Sequence, residues 1–133
     1  MENLNQQCAI GFIEDIWNMG RFEKLGNYLH ADFCDHSLPD FCQNRYGLIL
    51  YLKALGRELK HHTSMEEITC EGELVVIRFS LLSSRRTSHQ DEKSVVLGYR
   101  YLRMQENKIV DHWEMIQSIK PCASSDAALA LAS

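Results

Sequence analysis

An acid, an imidazole and an indole lie side by side in the last strand-like segment of the chain, Lys108–Glu114. Because side chains alternate between the two faces of a strand, Asp111 and Trp113 are expected on one face and His112 on the other. A sheet face that carries an aromatic ring between titratable groups is typical of the wall of a ligand pocket. The same pattern also fits a core tryptophan with solvated neighbours, so this segment alone leaves both interpretations open.

The length and charge of the chain limit the classes of protein to which it can belong. Its 133 residues predict a single domain over residues 1–120, followed by an Ala-rich tail over residues 121–133. A formal net charge of −4 argues against a general nucleic-acid-binding protein, which would carry a basic surface. No apolar run approaches the ~18 residues of a membrane span, and the polar N-terminus lacks the pattern of a secretion signal. We therefore expect a cytoplasmic protein that binds neither nucleic acid nor membrane.

The cysteines give no sign of a disulfide framework. Five of them are scattered along the chain, and the sequence contains no CxxC or HExxH spacing. This pattern predicts reduced thiols, most of them small core residues. A zinc site can be drawn from Cys34, His36 and Cys42, but the sequence offers no convincing fourth ligand. We therefore expect no metal and no other cofactor.

The first half of the chain has helical periodicity. Apolar residues recur at steps of three and four from Leu4 to Met19, which predicts an amphipathic helix. A shorter helix is expected next, followed by a brief strand over Phe33–Ser37. Asn44 is placed to cap a third helix, because its side chain can accept a hydrogen bond from a free backbone N–H group.

The periodicity becomes strand-like after His61, with candidate strands over residues 64–70, 73–83 and 94–104 before the final segment. Glu106 and Asn107 are expected to form a tight hairpin, because Asn tolerates a left-handed conformation. This order predicts an α+β domain in which three N-terminal helices pack on a curved, mostly antiparallel sheet. The strand at 73–83 is apolar on both faces, which predicts a homodimer packed through the outer face of the sheet.

Four local motifs accompany this element order. They are Asn27–His36, Asn44–Ile49, Glu71–Phe79 and Lys108–Trp113. Together they resemble motifs of the SnoaL-like polyketide cyclases, within the nuclear transport factor 2-like superfamily, over about residues 4–118. The resemblance implies a cone-shaped α+β barrel with a largely apolar pocket between the helices and the concave sheet. It implies little about activity, because the superfamily includes cyclases, isomerases, dehydratases, epoxide hydrolases and binding subunits.

The resemblance also implies a pocket for a small apolar or aromatic ligand. Aromatic rings from the helices and the strands would enclose it, together with His36. The implied lining consists of Trp17, Tyr28, Phe33, Tyr46, Tyr51, Tyr99, Tyr101 and Trp113. This assignment depends on strand parity, which a single bulge would invert.

Three residues are candidates for chemistry in such a pocket. His36 lies near the position where the related ketosteroid isomerases place a carboxylate base. One interpretation is that it abstracts a proton next to a carbonyl group, and the other is that it is a hydrogen-bonded polar group at the rim of the pocket. SnoaL-like cyclases resemble one another in having an acid/base Asp four residues after the Trp. This chain has Gln117 at that position, and a Gln side chain cannot carry a proton at neutral pH. Asp111 can substitute as acid or base, or it can pair with an arginine across the hairpin. The family's Gly-Thr-His on the long strand is also replaced, by Ser83-Ser84-Arg85.

Two classes of function follow from these residues. The first is a cofactor-free cyclase or isomerase that acts by proton transfer on a carbonyl compound. The second is a non-catalytic module of the same fold that binds a small ligand or serves as a dimeric interaction unit. Gln117 and the missing histidine on the long strand favour the second class.

Overall fold

The structure is a computed structural model that describes residues 3–86 and 93–122. Its helices are α1 (Leu4–Gly11), which continues as a π-helical segment (Phe12–Asn18), then α2 (Leu25–Tyr28) and α3 (Arg45–Glu58). Single 3-10 turns, Phe22–Lys24 and Asp40–Cys42, precede α2 and α3. Its strands are β1 (Leu29–Asp35), β2 (Leu59–Glu71), β3 (Leu74–Arg85), β4 (Lys93–Gln105) and β5 (Lys108–Cys122).

Local sequence explains where two of the helices begin. The side chain of Asn3 accepts a hydrogen bond from the backbone N of Gln6 at 3.1 Å, and this contact caps α1. Asn44 caps α3 as predicted, because its Oδ1 accepts from the backbone N of Gly47 at 2.9 Å. Gly47 leaves no room for a side chain, since an added Cβ would lie 1.9 Å from the carbonyl oxygen of Cys42. The start of α3 is therefore packed tightly against the preceding turn.

The five strands form one sheet in the order β1-β5-β4-β3-β2. β1 runs parallel to β5, and the other neighbouring strands are antiparallel. Glu106 and Asn107 close the hairpin between β4 and β5 with φ angles of 55° and 60°, which confirms the predicted turn. The N-terminal helices and the mostly antiparallel curved sheet confirm the predicted α+β fold.

The core lies between the helices and one face of the sheet. The π-helical segment, α3, β3 and β4 supply most of its side chains, which alternate with exposed residues along each strand. Its largest fully buried apolar members include Phe12, Ile13, Ile16, Leu48, Ile77, Phe79, Leu102 and Met104. Within the described residues, no helix covers the opposite face of the sheet, which we call the outer face.

Two bulges in β5, at Val110 and Gln117, interrupt its pairing with β4. Between them the side chains alternate regularly, with even-numbered residues towards the core and odd-numbered residues towards the outer face. The exposed fractions of His112 and Trp113, 1% and 38%, agree with this alternation, whereas Ile116, next to the second bulge, is 43% exposed. The stretch that carries the titratable groups therefore has a fixed parity.

The sheet extends slightly beyond the domain boundary predicted at residue 120, because β5 ends at Cys122. The predicted Ala-rich tail, from residue 123 onward, lies outside the described residues. Over residues 3–86 and 93–122, no helix is both long and apolar enough to cross a membrane.

Candidate functional site

Two Asp-His dipeptides lie next to each other in the sheet, Asp35-His36 at the end of β1 and Asp111-His112 in β5. The parallel register places Asp35 beside His112. Because side chains alternate between faces, one Asp and one His point into the core and the other two point outwards. The result is an interior pair, Asp35 with His112, and an outer pair, Asp111 with His36.

The interior pair is enclosed by protein. His112 Nδ1 lies 2.9 Å from Asp35 Oδ2, and each residue is 1% exposed. The contact is close enough for an ion pair but is not aligned as a hydrogen bond. Asp35 Oδ1 also accepts a hydrogen bond from the backbone N of Ser37 at 3.0 Å, which fixes the carboxylate. The pair is thus a preorganised acid–base unit in a low-dielectric environment.

Arg100 of β4 lies beside this pair and is fully buried. Its Nη1 is 2.9 Å from Glu114 Oε2 and 3.3 Å from His112 Nε2. Its guanidinium carbon stacks 3.8 Å from the centroid of the Trp17 ring and 4.7 Å from that of Phe79. Among the described residues, Nε and Nη2 of Arg100 have no hydrogen-bond partner. We call Asp35, Arg100, His112 and Glu114 the interior cluster.

Arg100 constrains which atoms of the interior cluster donate and which accept. Burial lowers the pKa of Arg100, and the carboxylates of Glu114 and Asp35 oppose this effect. A guanidinium remains protonated in proteins and can only donate, so His112 Nε2 must accept from Arg100 and the imidazole proton lies on Nδ1, towards Asp35. Burial, with Glu114, raises the pKa of Tyr51, which therefore keeps its hydroxyl proton as a donor near the cluster.

A cavity of about 260 Å³ lies beside the interior cluster, between the π-helical segment and α3. We call it the helix cavity, and Trp17 is the wall that it shares with the cluster. The ring of Trp17 also contacts the rings of Tyr51 and His112, at centroid distances of 6.3 and 6.4 Å. The lining residues are Ile16, Trp17, Asn18, Met19, Gly20, Phe22, Leu52, Lys53, Gly56, His61 and Arg86.

The outer pair is partly exposed, with His36 at 37% and Asp111 at 13%. His36 Nε2 is 2.7 Å from Asp111 Oδ1, and Arg103 Nε donates to Asp111 Oδ2 at 2.7 Å. The imidazole of His36 stacks on Trp113 with centroids 4.8 Å apart and planes 9° apart. Burial acts to raise the pKa of Asp111, but His36 and Arg103 outweigh it and the pKa is lowered. Asp111 thus forms the cross-hairpin arginine pair that the sequence offered as one alternative.

The structure corrects the expected pocket lining on the sheet side. His36, Asp111 and Trp113 lie on the outer face, and so do Tyr99 and Tyr101, which alternate with buried residues of β4. The helices cover the other face, so these five side chains do not line the cone. Whether His36 and Asp111 take part in chemistry stays a prediction.

Gln117 is also placed away from the interior. It occupies the second bulge of β5, where Leu97 pairs with Ser118 and Gly98 with Ile116, and its side chain is exposed. The family resemblance marks this residue as an acid/base position. Because of the bulge, it does not follow the regular alternation of side chains between the two faces of the strand. Its predicted catalytic role remains untested.

The other predicted lining residues, from the helices and β1, lie in three different places. Trp17 and Tyr51 adjoin the interior cluster. Phe33 and Tyr46 line a separate, open cavity of about 460 Å³, and Tyr46 is 71% exposed. The hydroxyl of Tyr28 donates to Asp15 and links the first two helices.

Sequence reasoning did not select the interior cluster. One signal could have found it: the repeated Asp-His dipeptide, on two segments expected to be strands. A second was Arg100, which alternates with Gly98 and Leu102 on one face of β4. Neither signal says which face the helices cover.

The zinc site drawn from the sequence is not formed. Cys34 Sγ lies 3.8 Å from His36 Nδ1 and 3.5 Å from Gln43 Oε1. Over the described ranges, however, no three His, Cys, Asp or Glu side chains are grouped in a way that could hold a metal ion. Cys42 therefore does not join Cys34 and His36 as a ligand.

No protein-family model and no curated protein matches this sequence. Many solved structures share its fold. A candidate polyketide cyclase from Bacillus cereus is 22% identical with a TM-score of 0.74, and the match covers 86% of this chain and 74% of that one. A candidate SnoaL-like polyketide cyclase from Jannaschia is 12% identical with a TM-score of 0.73, over 96% and 90% of the two chains.

A protein of the NTF2-like type from Burkholderia pseudomallei, of unknown function, gives a similar match. It is 11% identical with a TM-score of 0.73, over 87% of this chain and 92% of that one. Identities this low establish the fold and leave the chemistry open. The chain therefore has the cone-shaped α+β fold of the SnoaL-like and NTF2-like proteins, as its motifs predicted.

Proposed function

We propose that this protein binds a small, mostly apolar carbonyl compound and moves a proton on it without a metal or redox cofactor. The base is His112, oriented by Asp35, and Arg100 stabilises the negative charge that develops on the carbonyl oxygen. This places the protein among cyclase-like or isomerase-like enzymes, and the fold is compatible with that class.

One observation carries the proposal: a buried guanidinium, with two nitrogens that have no partner among residues 3–86 and 93–122, lies beside a buried imidazole–carboxylate pair. Three ionisable groups, Asp35, Arg100 and His112, are buried, and burying an ion costs several kcal/mol before mutual attraction is counted. Apolar residues of similar size would stabilise the core at least as well. A function for the cluster explains why the chain contains it.

The roles of the three groups follow from their geometry. With its proton on Nδ1, His112 acts as a base through Nε2 once the substrate's oxygen draws Arg100 Nη1 away from that lone pair, and Asp35 stabilises the imidazolium that forms. The free N–H groups of Arg100 can donate to an enolate oxygen, where a preorganised cation in a dry site has its largest effect. In an isomerisation, the proton then returns from Nε2 to a different carbon. In a cyclisation, the enolate carbon attacks a second carbonyl carbon of the same substrate, whose C=O π bond breaks, and Nε2 returns the proton to the alkoxide oxygen that forms.

Access to the cluster requires Trp17 to move. Its ring forms part of the helix cavity and also lies against Arg100 and His112. A change in the rotamer of Trp17 would open the cluster towards the cavity. The substrate's apolar part would then occupy the helix cavity, with its carbonyl group directed at Arg100.

Proton transfer can be tested before the natural substrate is known. Cyclic ketones and 1,3-diketones are incubated with the protein in D2O, and deuterium uptake next to the carbonyl group is followed by proton NMR. We expect acceleration by the native protein and a loss of about 10²-fold or more in His112→Gln. The matched variant His36→Gln changes the outer imidazole and should keep the native rate.

Equal rates for His112→Gln and the native protein would overturn the proposal. Asp35→Asn serves as a second interior variant, and circular dichroism checks that each variant folds. Binding of these compounds without any exchange would instead support the non-catalytic binding module.

We also propose that the outer face of the sheet forms a homodimer. Trp113 and Met115 are 38% and 49% exposed there, and Leu97 is 38% exposed beside them. Apolar side chains grouped on a sheet face are rarely left in water. Analytical ultracentrifugation at micromolar concentration should give a dimer, and Met115→Glu should shift it to monomer. A native monomer under these conditions would contradict this proposal.

A further inference from the structure

The helix cavity has a cationic rim. Lys53 and Arg86 are both exposed at its edge, and His61 lies in its wall. No acidic side chain lines it among the described residues, although the whole chain has a net charge of −4. The cavity therefore has a charge opposite to that of the protein as a whole.

These cations are not neutralised by the protein in the part of the chain that the structure describes. Lys53 and Arg86 form no ion pair there; Lys53 lies 5.7 Å from the centroid of the Phe22 ring. The side chain of Arg86 is anchored, because its Nε donates to the carbonyl oxygen of Gly56 at 2.7 Å. A guanidinium anchored through Nε keeps Nη1 and Nη2, which among the described residues have no acidic partner, and such a group is well suited to binding a carboxylate.

Two buried polar atoms in the wall also lack partners among residues 3–86 and 93–122. They are Nε1 of Trp17, a residue that is 6% exposed, and Nδ1 of His61. Burial lowers the pKa of His61, and the positive charges of Arg86 and Arg100 add to this effect. A buried polar atom without a partner costs free energy, so these two atoms mark a wall that can still rearrange to form hydrogen bonds.

The wall also contains apolar side chains, among them Ile16, Phe22 and Leu52. The amide of Asn18, which lines the cavity too, is bonded to the backbone N and O of Thr63. A volume of about 260 Å³ holds one small ring rather than an extended chain. The cavity thus combines an apolar body with an anion-binding rim.

We propose that the helix cavity binds an apolar ring compound through its carboxylate, held by Arg86 and Lys53. The substrate of the proposed enzyme is then a carboxylic acid that also carries a carbonyl group. This inference rests on the proposed function for the position of the reacting carbon at the interior cluster. The anion binding itself is measured without turnover.

Trp17 provides a specific probe. The chain has two tryptophans, so a Trp113→Phe background leaves Trp17 as the only indole, in the wall of the cavity. Fluorescence titrations compare cyclohexanecarboxylate with the neutral, nearly isosteric cyclohexanecarboxamide at low ionic strength. We expect the acid to bind about tenfold more tightly than the amide.

Two matched variants test the assignment of the rim. Arg86→Gln should abolish the preference for the acid, whereas Arg85→Gln, at the neighbouring exposed position outside the cavity lining, should keep it. Lys53→Gln is a second rim variant, which retains the Arg86–Gly56 contact, and thermal melts confirm folding. Equal affinity for acid and amide, or equal effects of the two arginine variants, would overturn the inference.

The same titration separates this inference from the proposed function. Preference for the acid that survives in His112→Gln would support the anion site even where deuterium exchange fails. Exchange that depends on His112 but shows no preference for acids would retain the enzyme and overturn the anion site.

Discussion

Asp35 and His112 meet inside the cone, whereas His36 and Asp111 meet on the opposite face of the same two strands. Each pair has an arginine and a tryptophan beside it, Arg100 with Trp17 inside and Arg103 with Trp113 outside. The inner residues are nearly inaccessible, while His36, Arg103 and Trp113 are more than one-third exposed. The same residue types therefore experience two different dielectric environments. Charges interact weakly through water and strongly in the dry interior, so burial rather than composition separates the two sites.

The largest expected difference between the two regions concerns the arginines. Arg100→Ala removes the cation of a buried cluster and leaves a hole between Trp17 and Phe79, which should cost about 3–5 kcal/mol of unfolding free energy. Arg103→Ala should cost less than about 1 kcal/mol, because its side chain is 45% exposed. Urea unfolding of both variants checks the comparison, and similar losses would show that burial does not distinguish the faces.

Replacing the two carboxylates should give a smaller difference in stability than replacing the two arginines. Asp35→Asn preserves the shape but removes the charge that faces His112 and that accepts from Ser37 N, and a hydrogen bond to a charged group contributes about 1.5–3 kcal/mol. Asp111→Asn faces partners in contact with water and should cost less than about 1 kcal/mol. Thermal melts at pH 7 provide the measurement. A larger loss of thermal stability in Asp111→Asn than in Asp35→Asn would contradict the prediction that the interior carboxylate contributes more.

The smallest expected effect is on the stability of the protein at acidic pH. The pKa of Asp111 is lowered in the folded protein, since His36 and Arg103 outweigh the effect of burial. The folded state then binds fewer protons than the unfolded state near the ordinary Asp pKa, so this contribution is complete above about pH 4 and is lost as the pH falls further. Asp111→Asn should flatten the decline of stability between pH 4 and lower pH, measured by urea unfolding. If the variant loses stability with falling pH as steeply as the native protein, other carboxylates cause the loss of stability in acid.

The elements of this fold could be predicted from local residue patterns. Asn44 caps α3 and Glu106-Asn107 turns the last hairpin as expected, because both depend on neighbouring residues alone. The early strand was predicted too short, since β1 begins at Leu29 and not at Phe33. Its first part follows α2 directly, with no turn residue to mark the boundary.

The site was less predictable than the fold. The alternation that separates Asp111 and Trp113 from His112 was correct, but both faces of β5 carry titratable groups. Which face becomes the interior depends on where the helices pack, and that is a tertiary property. The aromatic pattern of Tyr99, Tyr101 and Trp113 indicated a pocket and marks instead the outer face.

The π-helical segment between Phe12 and Asn18 has a consequence for how this chain could vary in length. A π-helical turn contains more residues than an α-helical one, and its most direct reversal is the deletion of a single residue. A deletion that also converted the turn to α-helical geometry would leave Trp17 facing Arg100, because the wide turn had absorbed the extra residue. A deletion that kept the wide turn would instead rotate Trp17 by about 100° relative to α1, since each residue of an α-helix turns by that angle. A change of length in this segment should therefore be tolerated only where the π-helical turn is lost with it.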